Sequence, residues 1–218
     1  MPEPIVTFDQ ASIVLVGSLN PTIFHPSWLL HYKLIQERDA EKAEVEVVHN
    51  DIAIIRGQWF ALEVTRNRFI ARSNDESHFE PLRDLVISIF KLLEHTPIKQ
   101  MGLNRDVHFD VQTDAAWHHI GHMLAPKAIW KKYLKEPGLR TLVIEGQHSD
   151  DFKGNINVTV RPVLEKKHTV SVAINNHFEL SDIQDLRISE LIAVRWLSAI
   201  NTAFDMSKNI ILDAQAAK

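Results

Sequence analysis

The sequence predicts an α+β protein. Each half is read as strand, helix, antiparallel strands, helix, and this tandem repeat forms one curved antiparallel sheet with helices on one face. Three observations carry that expectation. Apolar spacing switches between period two and the helical period along the chain. The order of those stretches occurs twice, over residues 1–97 and 98–218. Short motifs are also echoed: Val16-Gly17-Ser18-Leu19-Asn20 by Met101-Gly102-Leu103-Asn104, Asn67-Arg68-Phe69 by Asn176-His177-Phe178, and Pro26 with Trp28 by Pro126 with Trp130.

The first half opens on Ile5, Val6 and Phe8, then runs Ile13-Val14-Leu15-Val16-Gly17, which is strand-like. Asn20-Pro21 signals a turn or helix start. Phe24, Trp28, Leu29, Tyr32 and Ile35 then recur at helical spacing. Period two returns over 45–48, 52–55, 59–64 and 69–71, with hairpin turns at Arg56-Gly57-Gln58 and Thr65-Arg66-Asn67. Phe79, Leu82, Leu85, Val86, Ile89, Phe90 and Leu93 form one helical stripe, closed by His95-Thr96-Pro97. In the second half, residues 98–112 read as a strand and Thr113-Asp114 as a helix N-cap. The helical region is expected to reach Leu134, broken at Pro126 and ended by Pro137-Gly138. Strands follow at 142–144, 156–160 and 170–174. A long helix over about 182–205, carrying Leu186, Leu191, Ile192, Val194, Leu197, Ile200 and Phe204, closes one compact unit.

Composition limits the function classes. The 218 residues are 45% hydrophobic and 24% charged, ordinary values for a soluble globular protein. Lys plus Arg is 24 against 28 Asp plus Glu, so the net charge of −4 excludes a generally cationic DNA-coating protein but leaves room for a local basic patch. With 7 Gly and 9 Pro, neither a collagen nor a flexible linker is encoded. The absence of cysteine removes disulfides, thiolate metal sites and cysteine nucleophiles, and is compatible with a reducing cytoplasm. Met1-Pro2-Glu3-Pro4-Ile5 lacks the charged and apolar regions of a signal peptide. No apolar run approaches the roughly 20 residues of a membrane span. A cytoplasmic protein without membrane contact is expected. Phosphate loops, dinucleotide fingerprints and nucleophile elbows are all missing.

In topology the doubled order resembles the TATA-binding-protein fold. Its DNA-reading function is not carried over, because that family uses a basic face and inserted phenylalanines, and this acidic chain shows no matching pattern. Ile120-Gly121-His122-Met123-Leu124-Ala125-Pro126-Lys127-Ala128-Ile129-Trp130, with Met101-Gly102-Leu103-Asn104, resembles the motifs of an uncharacterised, sporadically distributed bacterial family of single-domain proteins of about this length. That resemblance implies a bacterial source and brings no established activity with it.

Three candidate sites stand out. On a helix, His118 and His122 sit four apart on one face, a spacing that suits Zn²⁺, with Asp114 one turn back as a third ligand or orienting carboxylate. The glutamate of HExxH is missing, and ordinary polar contacts beside Trp117 are the competing account. Lys127, Lys131, Lys132 and Lys135, interleaved with Trp130 and Tyr133, form a basic stretch that would grip phosphates. The competing account turns Trp130, Tyr133 and Leu134 into the core while the lysines reach outward. Trp59, Phe60 and Leu62 suggest an apolar patch on the second face of the sheet, a protein interface if exposed and plain core if not. His148-Ser149-Asp150-Asp151 reads as a solvated turn.

The leading expectation is a non-catalytic protein-interaction module with a protein partner or a second copy of itself. It would be a subunit or adaptor of a bacterial multi-protein system, such as a defence or other mobile system. The alternatives are a metal-dependent hydrolase using Asp114, His118 and His122, and a nucleic-acid binder using residues 127–135.

Overall fold

Alternation through Ala11, Ile13 and Leu15 gives the later part of the first strand, β1 (Ile5–Gly17), one fully buried face, and the chain folds outward from it. The computed structural model describes residues 3–148, 153–181 and 187–217. After β1 come short helices α1 (Pro26–His31) and α2 (Glu37–Glu41), then strands β2 (Glu44–Val48), β3 (Ile52–Arg56), β4 (Ala61–Thr65) and β5 (Arg68–Ser73). Helix α3 (Phe79–Leu92) leads to β6 (Ile98–Asp110), α4 (Asp114–Leu124), β7 (Leu142–Gln147), β8 (Gly154–Pro162), β9 (Thr169–Glu179) and α5 (Ile188–Ala216).

The strands form one nine-stranded antiparallel sheet of order β2-β3-β4-β5-β1-β6-β9-β8-β7. Strands from residues 5–73 lie on one side and those from 98–179 on the other. They meet where β1 pairs with β6 along nearly its whole length, from Ile5 opposite Asp110 to Gly17 opposite Ile98. One face carries the helices. Ile13, Leu15, Phe69, Met101 and Leu103 share a buried cluster with Leu82, Val86 and Phe90 of α3 and with Ile192 and Trp196 of α5. A second cluster joins Val107, Phe109, Val172 and Ile174 to Ala116 and Ile120 of α4 and to Ala203 and Ile211 of α5. The 29-residue α5 therefore spans both clusters and ties the halves together behind the sheet. Residues turned to the opposite face, such as Val14, Ile70, Asn104 and Asn175, are only half-buried.

Arg105 is a buried charge on the otherwise mostly apolar helix side. It is 3% exposed, and its guanidinium donates to both carboxylate oxygens of Asp9 at 2.9 and 2.5 Å, to Glu76 at 3.2 Å and to the Ile200 carbonyl at 3.3 Å. The rings of Phe79 and Phe204 lie within cation–π range, at 5.2 and 4.4 Å.

Several boundaries differ from the sequence reading. The stripe over 24–35 is split, because Lys33 takes a positive φ of 56° and α1 stops at His31. The strand expected from Trp59 begins at Ala61, after a turn in which the Gly57 N–H donates to the Phe60 carbonyl. The helical region expected to reach Leu134 ends at Leu124, where Ala125 is held out of the helical region ahead of Pro126. Beyond it only a 3-10 turn forms, Trp130–Lys132. The closing helix runs on to Ala216; its expected start over 182–186, including Leu186, lies outside the described residues, as do Ser149, Asp150 and Asp151.

Candidate functional site

The site is built on α4. Thr113 starts the helix, its hydroxyl accepting from the Ala116 N–H at 3.1 Å. Ala116 and Ile120 then face the core, His118 is exposed, and Trp117 and His119 are half-buried. Trp117 is pinned by its indole N–H, which donates to the Thr169 carbonyl at 3.3 Å. His119 Nε2 contacts the Ala217 carbonyl at 3.0 Å, fastening α4 to the end of α5. The helix C-terminus is closed by Lys127, whose ammonium donates to the carbonyls of Gly121 (2.6 Å) and Ala125. Burial holds this ammonium below its ordinary value.

Against this helix lies a cavity of about 800 Å³. One wall is α4 with Trp117, His118 and His122; another is the chain around Lys131 and Leu139; the third is the end of β8, Val160 to Pro162. His118, His122, Lys127 and Lys131, drawn from two separate sequence candidates, thus share one cavity. Arg161 joins them from β8, half exposed and 3.7 Å from Asp106. Among the described lining residues Glu136 is the lone carboxylate.

The expected metal triad does not assemble. Asp114 pairs instead with His168 Nε2 at 3.0 Å, away from the cavity wall that holds His118 and His122. Position 114 opens the helix, so its side chain leans toward the start of β9. Among the described residues, no group of three or more His, Asp or Glu side chains is gathered around a point that would hold a metal ion.

The basic stretch 127–135 is likewise not one helical face. Lys127 is committed to backbone carbonyls, Lys131 lines the cavity, and Lys132 and Lys135 are exposed outside the cavity wall. The core role considered for Trp130, Tyr133 and Leu134 is also corrected: they are 50%, 82% and 55% exposed. Without a continuing helix after Pro126 there is no periodic face to bury them. Ile129 on the same segment is exposed as well, as are Ile144 on the helix side of edge strand β7 and Val143 on its opposite face. The exposure of Ile129–Leu134 was not legible in the sequence, because the same residue pattern describes a buried amphipathic stripe.

The patch expected at Trp59, Phe60 and Leu62 is corrected in the other direction. Phe60 and Leu62 belong to the core cluster, Leu62 alternating inward with Val64 on β4. Trp59 is partly buried against that cluster and stacks on His78 at 5.7 Å. Comparison of the chain with protein-family models and with curated proteins finds no match in either.

Proposed function

We propose that the chain is a non-catalytic protein-interaction module, a subunit or adaptor, whose partner docks on the segment Ile129–Leu134 together with edge strand β7. The observation that carries this reading is the exposure of Ile129, Trp130, Tyr133 and Leu134 within one stretch of chain, and of Ile144 on the helix side of β7. Contiguous exposed apolar surface is unfavourable in water unless something covers it, and Trp and Tyr are the side chains on which interface energy concentrates. The cavity links the two: Lys131 and residues 136–139 share its lining with Val160–Pro162 of β8, and Val160 pairs with Leu142 of β7. Strand β7 ends the sheet, so its outer backbone groups suit pairing with an added strand. Within the same proposal, residues 1–97 and 98–218 are tandem repeats, a reading supported by the strand order, which runs outward from the β1–β6 pair through each half's later strands.

The test is affinity capture on the tagged chain from a bacterial host, comparing it with the Trp130→Ala, Tyr133→Ala double variant. Loss of a stoichiometric partner from the double variant, at unchanged thermal midpoint, is the expected result. Equal capture by both proteins rejects this surface. Light scattering on both identifies the case in which the partner is a second copy of the chain.

A further inference from the structure

We infer that the cavity beside α4 binds a small organic phosphate, an anionic head carried on a flat apolar body. Its size falls in the range of small-molecule sites, roughly 300–1,000 Å³. Its chemistry is divided in a way that matches such a ligand. Trp117, Ile120, Val160 and Leu139 supply apolar and aromatic wall, and the Trp117 ring is held in place by the indole bond to Thr169. Lys131 and Arg161 bring cationic donors from two different walls, with His118 and His122 beside them. Separated cationic donors suit a doubly charged head better than a single carboxylate. Against Lys127, Lys131 and Arg161 stand Glu136 in the described lining and Asp106, 3.7 Å from Arg161, so the wall keeps a positive balance in a chain whose net charge is −4.

Gly121 bears on the shape of the cavity wall. It occupies the interior of α4 and lines the cavity, and a Cβ added there would meet nothing within 4 Å. Glycine inside a helix is unfavourable by about 1 kcal/mol relative to alanine. Here no neighbour demands it, and the wall is open to the cavity at this point.

Calorimetric titration of the full chain with 1-naphthyl phosphate, inorganic phosphate and 1-naphthol, at low ionic strength, tests this inference. The expected result is one naphthyl phosphate per chain, bound about tenfold or more tighter than either half alone, because head and body each contribute. Lys131→Ala with Arg161→Ala weakens it by about tenfold or more, since both charge-assisted contacts are lost. Gly121→Leu, which projects a side chain from the α4 wall into the cavity, weakens binding without lowering the thermal midpoint. Should that variant fail to fold, the Lys131 and Arg161 substitutions carry the test, since both residues are exposed. No binding of naphthyl phosphate, binding no tighter than that of 1-naphthol, or full affinity in the Lys131, Arg161 double variant overturns the inference. The Trp130→Ala, Tyr133→Ala protein should bind naphthyl phosphate normally. If binding is lost there, the ligand sits on the exposed segment and the cavity assignment fails, whatever becomes of the partner surface.

Discussion

Arg105 shows how a single buried charge is held. Burying a guanidinium is costly, and the cost is met only because Asp9 binds it through two oxygens and Glu76 and the Ile200 carbonyl take further donors. Removing one partner strands the other: Arg105→Met should destabilise the fold by about 3–5 kcal/mol. Urea unfolding measures this, and the Arg105→Met, Asp9→Leu pair should recover part of the loss; equal loss in both proteins refutes the account. His108 is a second residue-scale case. It packs on Phe8 at 4.5 Å, and burial, aided by Lys166 and Arg161 and opposed by Asp106, holds its imidazole below the ordinary value. The unfolded chain then takes up this proton near pH 6.5, while the folded chain does so only at lower pH. Its contribution to stability is therefore complete above about pH 6.5 and is lost as pH falls toward the folded value. The stability difference between the wild type and His108→Gln should change between pH 7.5 and 5; a constant difference would show that His108 does not titrate differently on folding. Both residues were present in the sequence as ordinary strand positions. Neither burial nor partners could be read there, because Asp9 and Arg105 stand 96 positions apart.

Among the elements, α3 was the most legible. Its seven-residue stripe from Phe79 to Leu93 is the helical period, and six of those residues are buried as that period requires. Helix α4 was legible at its start, where Thr113 caps it as expected, and misleading at its end. A run of lysines and aromatics after Pro126 has the composition of a helix, yet the proline and the capping Lys127 stop it at Leu124. Two substitutions test the local physics of α4. Thr113→Ala removes the cap and should cost about 1 kcal/mol. Gly121→Ala should stabilise by up to about 1 kcal/mol, since the added methyl meets nothing and helix propensity improves. Thermal denaturation of the two single variants should move the midpoint in opposite directions; a shift in the same direction would refute the reading of one of them.

At the scale of the whole molecule, two features decide what the protein offers to its surroundings. One is α5, which runs behind both clusters and contributes the fully buried Trp196. Trp196→Ala should cost about 3–5 kcal/mol through the cavity it leaves, measured by chemical denaturation. An effect below 1 kcal/mol, the size of an ordinary surface change, would mean that the helix does not bind the halves as described. The other is the join between the halves. At Gly17 a Cβ would be driven into the Pro97 carbonyl oxygen, so Gly17→Ala should destabilise by roughly 1–3 kcal/mol, as overpacking does. Here the echoed Gly17 and Gly102 of the sequence find different physical explanations. Gly17 makes room for backbone, whereas at Gly102 a Cβ would meet the amides of Asn104 and Asn175 at 3.3–3.4 Å.

The sequence by itself determined the α+β class, the chain order of strands and helices, and most of their interiors, because period and capping are local properties that short stretches of chain express. It also named His118, His122, Lys127 and Lys131, whose residue types advertise their chemistry. Only the tertiary structure decided what each of them meets: Asp114 turned to His168, Lys127 spent on carbonyls, and His118, His122 and Lys131 set around one cavity with Arg161 from β8. It also reversed the two aromatic clusters, sinking Phe60 and Leu62 and exposing Trp130 and Tyr133. The physical reason is the same in each case. An apolar or charged side chain states what environment it favours, but burial and pairing depend on which distant strand or helix arrives beside it.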